Sequence, residues 1–337
     1  MLPVPIRASS LRVARKAAHH LRDRPVRRTV LPSRTPTVHP ATTTATTQTT
    51  QTTQTTQAVL LAAGVGRRLR PLTDDRPKCL VPVGGVPIVD RLVAQLRSCG
   101  IRRFVIATGY RAERLRRHLL ERWADADLEL RFVDNPDHAT TNNLVTLWRC
   151  RDAVDADPVV VETDLVLEPG AVARVVSAGS AALISPYTDQ MDGTSVAVGP
   201  TRDITQMYVG GEGSPQRGGF KTVNLTRFTH DDWTATIVPG LEAGRARGDH
   251  HRYYEHVIAL ALAAGRLAMQ GVVIAPDAWA EVDTPDDLAR AEAFVAKRPR
   301  ATPMPTGIAA PRPATTERSA DDVRPGIGAT SGRAAAS

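Results

Sequence analysis

Leu60-Leu61-Ala62-Ala63-Gly64-Val65-Gly66-Arg67-Arg68-Leu69-Arg70-Pro71-Leu72-Thr73, followed by Pro77-Lys78, is the stretch that decides how this chain folds. An apolar run from Ala58 to Ala63 ends abruptly in Gly-x-Gly. Six apolar residues bounded by glycine have the length of a buried strand. Glycines let the backbone come close to a ligand, and successive N–H groups then point at it. Ala62, Ala63, Gly64 and Gly66 are therefore candidate phosphate-binding positions. Arg68 and Lys78 add positive charge where a leaving pyrophosphate would need it. A lone Gly-x-Gly would equally mark a plain turn. No Gly-Lys-Ser/Thr follows for a P-loop, and no third glycine stands at dinucleotide-fold spacing.

Outward from this stretch, strand and helix signals alternate. Apolar runs at 58–63, 103–108, 128–133 and 158–163 predict strands. Helical periodicity fills 87–99, 111–123 and 142–154, with Val89, Leu92, Val93 and Leu96 on one face. Such alternation predicts an α/β, Rossmann-like fold, a mostly parallel sheet sandwiched by helices. Ligands in such sheets sit at the carboxyl ends of strands. From about 180 to 227 the pattern changes to short strands with glycine turns. Two helices, a strand at 267–275 and a closing helix at 285–296 follow. This half reads as an insertion that binds an acceptor.

The chain has 337 residues and a formal charge of +8. The positive excess belongs to its ends. Residues 1–57 hold nine Lys and Arg against Asp23 alone, then run into Thr-Thr-Gln triplets. Too few apolar groups are present there to offset ordering entropy, so the expectation is a disordered basic arm. An organelle transit peptide is a second reading of its Arg-rich start. Residues 298–337, rich in Ala, Pro, Thr and Gly, read as a disordered tail. The body, 58–297, carries slightly more acids than bases, which argues against a nucleic-acid-binding face. Cys79, Cys99 and Cys150 form no C-x-x-C pair and suit a reducing, cytoplasmic setting. No apolar run reaches the ~18 residues of a membrane span, so no membrane partner is expected.

Two acidic elements follow the cradle. Val159-Val160-Val161-Glu162-Thr163-Asp164 delivers a carboxylate at a strand end, where an acid is also a common turn or cap. Trp279-Ala280-Glu281-Val282-Asp283-Thr284-Pro285-Asp286-Asp287 reads first as a helix start, with Thr284 as N-cap and Pro285 at N1. That reading does not explain Asp283.

The whole string from Leu61 to Thr73, with Pro77-Lys78-Cys79-Leu80, resembles the signature of the pyrophosphorylase-type nucleotidyltransferases, L-A-A-G-x-G-x-R-L-x-P-L-T then P-K-x-L. The resemblance covers roughly 58–296. It implies transfer of a nucleotidyl group from a triphosphate to a phosphorylated acceptor. It also implies Mg2+ held jointly by Asp164 and Asp283, although Thr163 stands where much of the family has glycine. Asn142-Asn143-Leu144-Val145-Thr146-Leu147 resembles the N-N-x-x-S-L segment of the phosphocholine and phosphonate cytidylyltransferase branch. Phe220-Lys221-Thr222-Val223-Asn224 resembles that branch's K-T-V-N strand. The resemblance implies CTP as donor, with Gly64, Gly66 and Arg68 on its outer phosphates and Lys78 on its α-phosphate. Gly109, Tyr110 and Asn143 would help seat the nucleotide, and Lys221 would touch the acceptor's phosphoryl group. Tyr253, Tyr254 and Glu281 fall where the branch places acceptor-pocket groups.

His250-His251-Arg252 precedes the tyrosines, and Arg252 would suit an anionic acceptor such as phosphonoformate. A small phosphonate, 2-aminoethylphosphonate being another candidate, is the leading expectation. The Ala- and Arg-rich composition resembles that of high-GC actinobacteria, which points towards antibiotic biosynthesis. A phosphocholine acceptor, a sugar-1-phosphate acceptor and a non-catalytic regulatory subunit remain open alternatives.

Overall fold

The computed structural model describes residues 56–189, 191–211 and 219–298. The expected basic arm and tail lie outside the described residues, except for Thr56, Gln57 and Arg298. The chain enters through β1 (Thr56–Ala62), a small hairpin of β2 (Pro82–Val83) and β3 (Val86–Pro87), and α1 (Ile88–Ser98). There follow β4 (Arg103–Thr108), α2 (Ala112–Arg122), β5 (Glu129–Asp134), α3 (Asn143–Cys150), β6 (Asp157–Glu162), β7 (Leu165–Leu167) and α4 (Ala171–Val176). The second half contains β8 (Ala181–Pro186), β9 (Ser195–Val198), β10 (Ile204–Tyr208), β11 (Phe220–Arg227), α5 (His230–Asp232) and α6 (Val238–Ala246). It closes with α7 (Glu255–Ala263), β12 (Gln270–Val273), β13 (Trp279–Glu281) and α8 (Pro285–Ala296).

β1 lies at the centre of the main sheet, whose order is β10-β9-β11-β6-β1-β4-β5. The strands β6, β1, β4 and β5 run parallel, and β11 turns antiparallel against β6. β8 pairs antiparallel with β11 and parallel with β12. The predicted parallel sheet is thus the first half of the chain, and the insertion extends it with reversed strands. β1 is buried on both faces, as an unbroken apolar run requires. Ala58, Leu60 and Ala62 face a core shared with α1, α2 and α8; Val59 and Leu61 face a second core with α3, α6 and α7. The strand begins at Thr56, two residues before the expected boundary. Thr56 pairs with Asp157, and the Gln57 side chain donates from Nε2 to the Ala153 carbonyl at 3.0 Å.

Parallel order brings the carboxyl ends of β1, β4, β5 and β6 to one edge. The cradle leaves β1 there, and Glu162, Thr163 and Asp164 leave β6 beside it. β13 pairs with β7, so Glu281 stands opposite Leu165, and the Val282 amide donates to the Asp164 carbonyl at 2.9 Å. A separation of 119 positions in the chain is thereby closed, and Asp283 reaches Asp164.

Candidate active site

A cleft of about 360 Å³ opens at this edge. Of the residues singled out in the sequence, Ala62, Ala63, Gly64, Gly66, Arg68, Lys78, Asn143, Asp164, Tyr253 and Asp283 line it. Gly66 has φ +66°, and a Cβ there would stand 2.9 Å from the Lys78 Cβ. Glycine is thus required both by the turn and by the approach of Lys78. The loop is closed on itself by the buried Thr73, whose hydroxyl donates to the Gly66 carbonyl at 2.8 Å.

Lys78 joins the two acids. Its Nζ lies 2.7 Å from Asp164 Oδ2 and 2.6 Å from Asp283 Oδ1, and Arg68 reaches Asp283 Oδ2 at 2.8 Å. Burial alone would lower the Lys78 pKa, but the Asp164 and Asp283 charges outweigh it and raise the ammonium above the ordinary lysine value. For Asp283 burial acts upwards, and Lys78 followed by Arg68 holds the carboxyl below its usual range. Asp164 Oδ1 is buried and has no hydrogen-bond partner within the protein. An orphaned carboxylate oxygen beside a second carboxylate on a separate element fits a hard cation such as Mg2+. Among the described residues no group of three His, Cys, Asp or Glu side chains could hold a metal alone. A Mg2+ ion here would need oxygens from the nucleotide as well.

The position of Asp283 comes from a helix cap. Asp287 Oδ2 accepts from the Asp283 and Thr284 amides at 3.1 and 2.7 Å, while the Thr284 hydroxyl accepts from the Asp287 amide at 3.2 Å. The capping box of α8 therefore holds the backbone of the acid that precedes it.

Behind Asp164 lies a second group of acids that sequence reasoning did not assemble. Glu162 lines the cleft and accepts from Asn143 Nδ2 at 2.9 Å. Asn143 Oδ1 accepts from the Tyr254 amide at 2.8 Å. Both ends of the Asn143 amide are thus used inside the protein, so this residue bridges the acids and the 254 turn instead of offering itself to a base. Glu255 is 5% exposed and its Oε2 has no partner. Burial pushes its carboxyl up to about 7, against its own backbone hydrogen bond and the Lys221 charge. Glu281 is also raised to about 7, chiefly by burial, with Lys221 opposing and Asp164 and Asp283 adding to the rise. Burial and then the charges of Glu255, Asp164 and Glu281 raise Glu162 well above its usual range. Three carboxyl groups thus share one low-dielectric region, with the buried Lys221 ammonium beside Glu281 as their nearest counter-charge.

Six expected site residues, Tyr254, Lys221, Arg252, Tyr110, Gly109 and Glu281, do not line the cleft. Tyr254 is in the core, 1% exposed; the turn that sends Tyr253 to the cleft sends its neighbour inwards. Lys221 is buried, donates to the Thr222 carbonyl at 2.8 Å, and lies 3.8 Å from Glu281 Oε2, outside the cleft lining. Arg252 pairs with Asp249 and lines a separate pocket with His256 and Leu260. The geometry therefore corrects the expected pairing of Arg252 with the acceptor. Tyr110 does not line the cleft either; its hydroxyl donates to the Thr73 and Asp74 carbonyls at 2.9 and 2.7 Å. Gly109 packs where a Cβ would stand 2.8 Å from the Ala63 carbonyl oxygen.

Comparison with known proteins adds to this geometry. Residues 58–213 match the family model of the MobA-like NTP transferase domain. The chain is 33% identical, over 70% of its length, to a CMP-5'-(3-aminopropyl)phosphonate synthase of Streptomyces rubellomurinus, 38% of which is covered. It is 31% identical, over 33% of its length, to a 2-aminoethylphosphonate cytidylyltransferase of Lancefieldella rimae, 43% of which is covered. The chain thus spans less than half the length of these curated relatives. The solved structure of a CTP:phosphocholine cytidylyltransferase from Streptococcus pneumoniae superimposes with a TM-score of 0.61 at 21% identity, covering 71% of this chain and 99% of that one.

Proposed function

We propose that this chain, whose residues 58–213 match the model of the MobA-like NTP transferase domain, is a nucleotidyltransferase that transfers CMP from CTP to a small phosphonate bearing an ammonium group. One observation carries the choice of acceptor: the cleft-lining Glu162 is backed by two further buried acids, Glu255 and Glu281, whose charges act on it. An aminoalkylphosphonate has an anionic end to react and a cationic end to match those acids. The anionic acceptor suggested by Arg252 loses its support, because that guanidinium pairs with Asp249 outside the cleft. The names of the two phosphonate relatives agree with this choice.

In this reading a phosphonate oxygen attacks the α-phosphorus of CTP in line. A new P–O bond forms, the bond to the bridging oxygen breaks, and pyrophosphate leaves. A phosphonate carries negative charge near neutral pH, so no strong base is required of the protein. Catalysis is positioning and charge stabilisation. The Gly64 and Gly66 N–H groups and Arg68 hold the outer phosphates, and Lys78 neutralises charge on the α-phosphate. Asp164 and Asp283 would hold Mg2+, which supplies Lewis-acid neutralisation of phosphate charge when bound. Asn143 keeps Glu162 aimed at the acceptor end. A cytoplasmic location and a place in antibiotic biosynthesis belong to the same proposal.

The test is pyrophosphate release with four nucleoside triphosphates against aminoalkylphosphonates, methylphosphonate, phosphocholine and sugar-1-phosphates. CTP with an aminoalkylphosphonate should give the highest kcat/KM. Preference for a sugar-1-phosphate would overturn the reading.

A further inference from the structure

The ten-residue loop Gly64–Thr73 carries the phosphate-facing amides and Arg68, yet it has little secondary structure beyond a single 3-10 turn at Arg67–Leu69. Something must hold its two ends, because preorganised donors act only when they stay in place. The β4–α2 corner touches both. The Tyr110 amide donates to the Ala63 carbonyl at 3.0 Å, at the loop's start. The Tyr110 hydroxyl is shared between the Thr73 and Asp74 carbonyls at 2.9 and 2.7 Å, at its end. Thr73 carries the constraint inwards, since its hydroxyl donates to the Gly66 carbonyl at 2.8 Å. Arg111 Nη2 adds a bond to the Asp74 carbonyl at 3.0 Å, and Arg114 Nη1 one to the Asp75 carbonyl at 3.1 Å.

We propose that Tyr110 is a positioning residue of the triphosphate cradle. Its backbone and its hydroxyl hold the two ends of the Gly64–Thr73 loop, and Thr73 transmits that hold to Gly66. The proposal rests on the nucleotidyl-transfer reading of the cleft, but not on cytosine or on the acceptor. Tyr110 then acts on the triphosphate through the loop, without touching the base.

Three variants test it. Tyr110→Phe keeps the ring and removes the hydroxyl. Thr73→Val keeps the shape and removes the bond to Gly66. Tyr110→Leu removes ring and hydroxyl together. Tyr110→Phe should raise the KM for the triphosphate roughly three- to tenfold, the scale of one intramolecular hydrogen bond. The acceptor KM should stay within twofold. Thr73→Val should act alike, and the double variant should be less than multiplicative, because the two bonds act in series. Hydrogen exchange of amides 64–73 should speed up in Tyr110→Phe, with the melting temperature little changed. If Tyr110→Phe leaves both the triphosphate KM and this exchange at wild-type values, the proposal is wrong. If Tyr110→Phe is silent and Tyr110→Leu is severe, the ring seats the base and the proposal is equally wrong. A wild type that uses another triphosphate refutes only the cytidylyl reading, and the same comparison is then made with that triphosphate.

Discussion

Glu255 allows a sharp test of the acceptor, because its burial sets its carboxyl at about 7. With a pKa there, Glu255 would change from mostly ionised to mostly neutral as pH falls through about 7. An ammonium acceptor binds best to the ionised form. Between pH 8 and pH 6 the ionised fraction falls from about nine-tenths to about one-tenth, since one pH unit is a tenfold change in the protonation ratio. The KM for an aminoalkylphosphonate should therefore rise about tenfold over that interval. Glu281, raised to about 7 as well, steepens the rise if it also contacts the ammonium. The phosphonate itself titrates near this range, and an ammonium lowers that pKa, so each KM is expressed against the dianion concentration from that acceptor's own titration, with methylphosphonate, which lacks the amine, as the control. Dividing the two profiles isolates the protein's carboxylates. Glu255→Gln should flatten the ratio and weaken the aminoalkylphosphonate at pH 8.

The same shift has a stability consequence of defined sign. The folded pKa lies above the unfolded value of 4.5. Stability from this group is thus complete below pH 4.5 and is lost as pH rises through about 7. Glu255→Gln should raise the melting temperature at pH 8 and leave it unchanged at pH 4.5, as read by thermal unfolding. A flat KM ratio in the wild type would refute the argument that these buried acids receive the ammonium.

Other outcomes follow from the Lys78 cluster and the chain boundaries. Lys78→Ala should lower kcat by roughly 10²–10³, the scale for one preorganised stabilising group, where loss of ground-state binding alone would raise only the CTP KM. Asp164→Asn or Asp283→Asn should each abolish Mg2+-dependent turnover with the fold retained by circular dichroism, and the double variant should be little worse than either. Arg252→Ala should leave the acceptor KM within twofold, because that side chain faces the Asp249 side of the turn. Residues 56–298 alone should retain the kcat/KM of the full chain, which steady-state kinetics on the shortened protein would check.

The cradle was legible because its signals are local. An apolar run, two glycines and the nearby basic residues sit within twenty positions, and strand β1 and helix α8 formed close to where periodicity put them. Asp283 could be singled out because the helix cap accounted for Thr284 to Asp287 and left it over. The acidic group was not legible in this way. Glu162 reads as a strand-end polar residue and Glu255 as a favourable first-turn acid. Only the Asn143 bridge, 111 positions from Tyr254, gathers them. Arg252 and Tyr254 stand away from the cleft lining for a rotational reason. Adjacent residues in a tight turn point in different directions, so adjacency to Tyr253 could not place either in the cleft. Tyr110 is expected from the resemblance to help seat the nucleotide, whereas its hydroxyl turns towards loop carbonyls that no periodicity marks.

The link between Asp283 and the start of α8 ties a peripheral helix to the proposed metal site. Thr284 and Asp287 touch no substrate in the proposed scheme, and both are half-buried at the start of a helix. Their backbone bonds nonetheless set where a catalytic carboxylate begins. Drift at such positions would therefore reach the chemistry without altering the cleft's lining. Natural variants there could lose turnover while every residue in contact with the nucleotide stays intact, and thermal melting would detect little beyond a lost cap, about 1 kcal/mol.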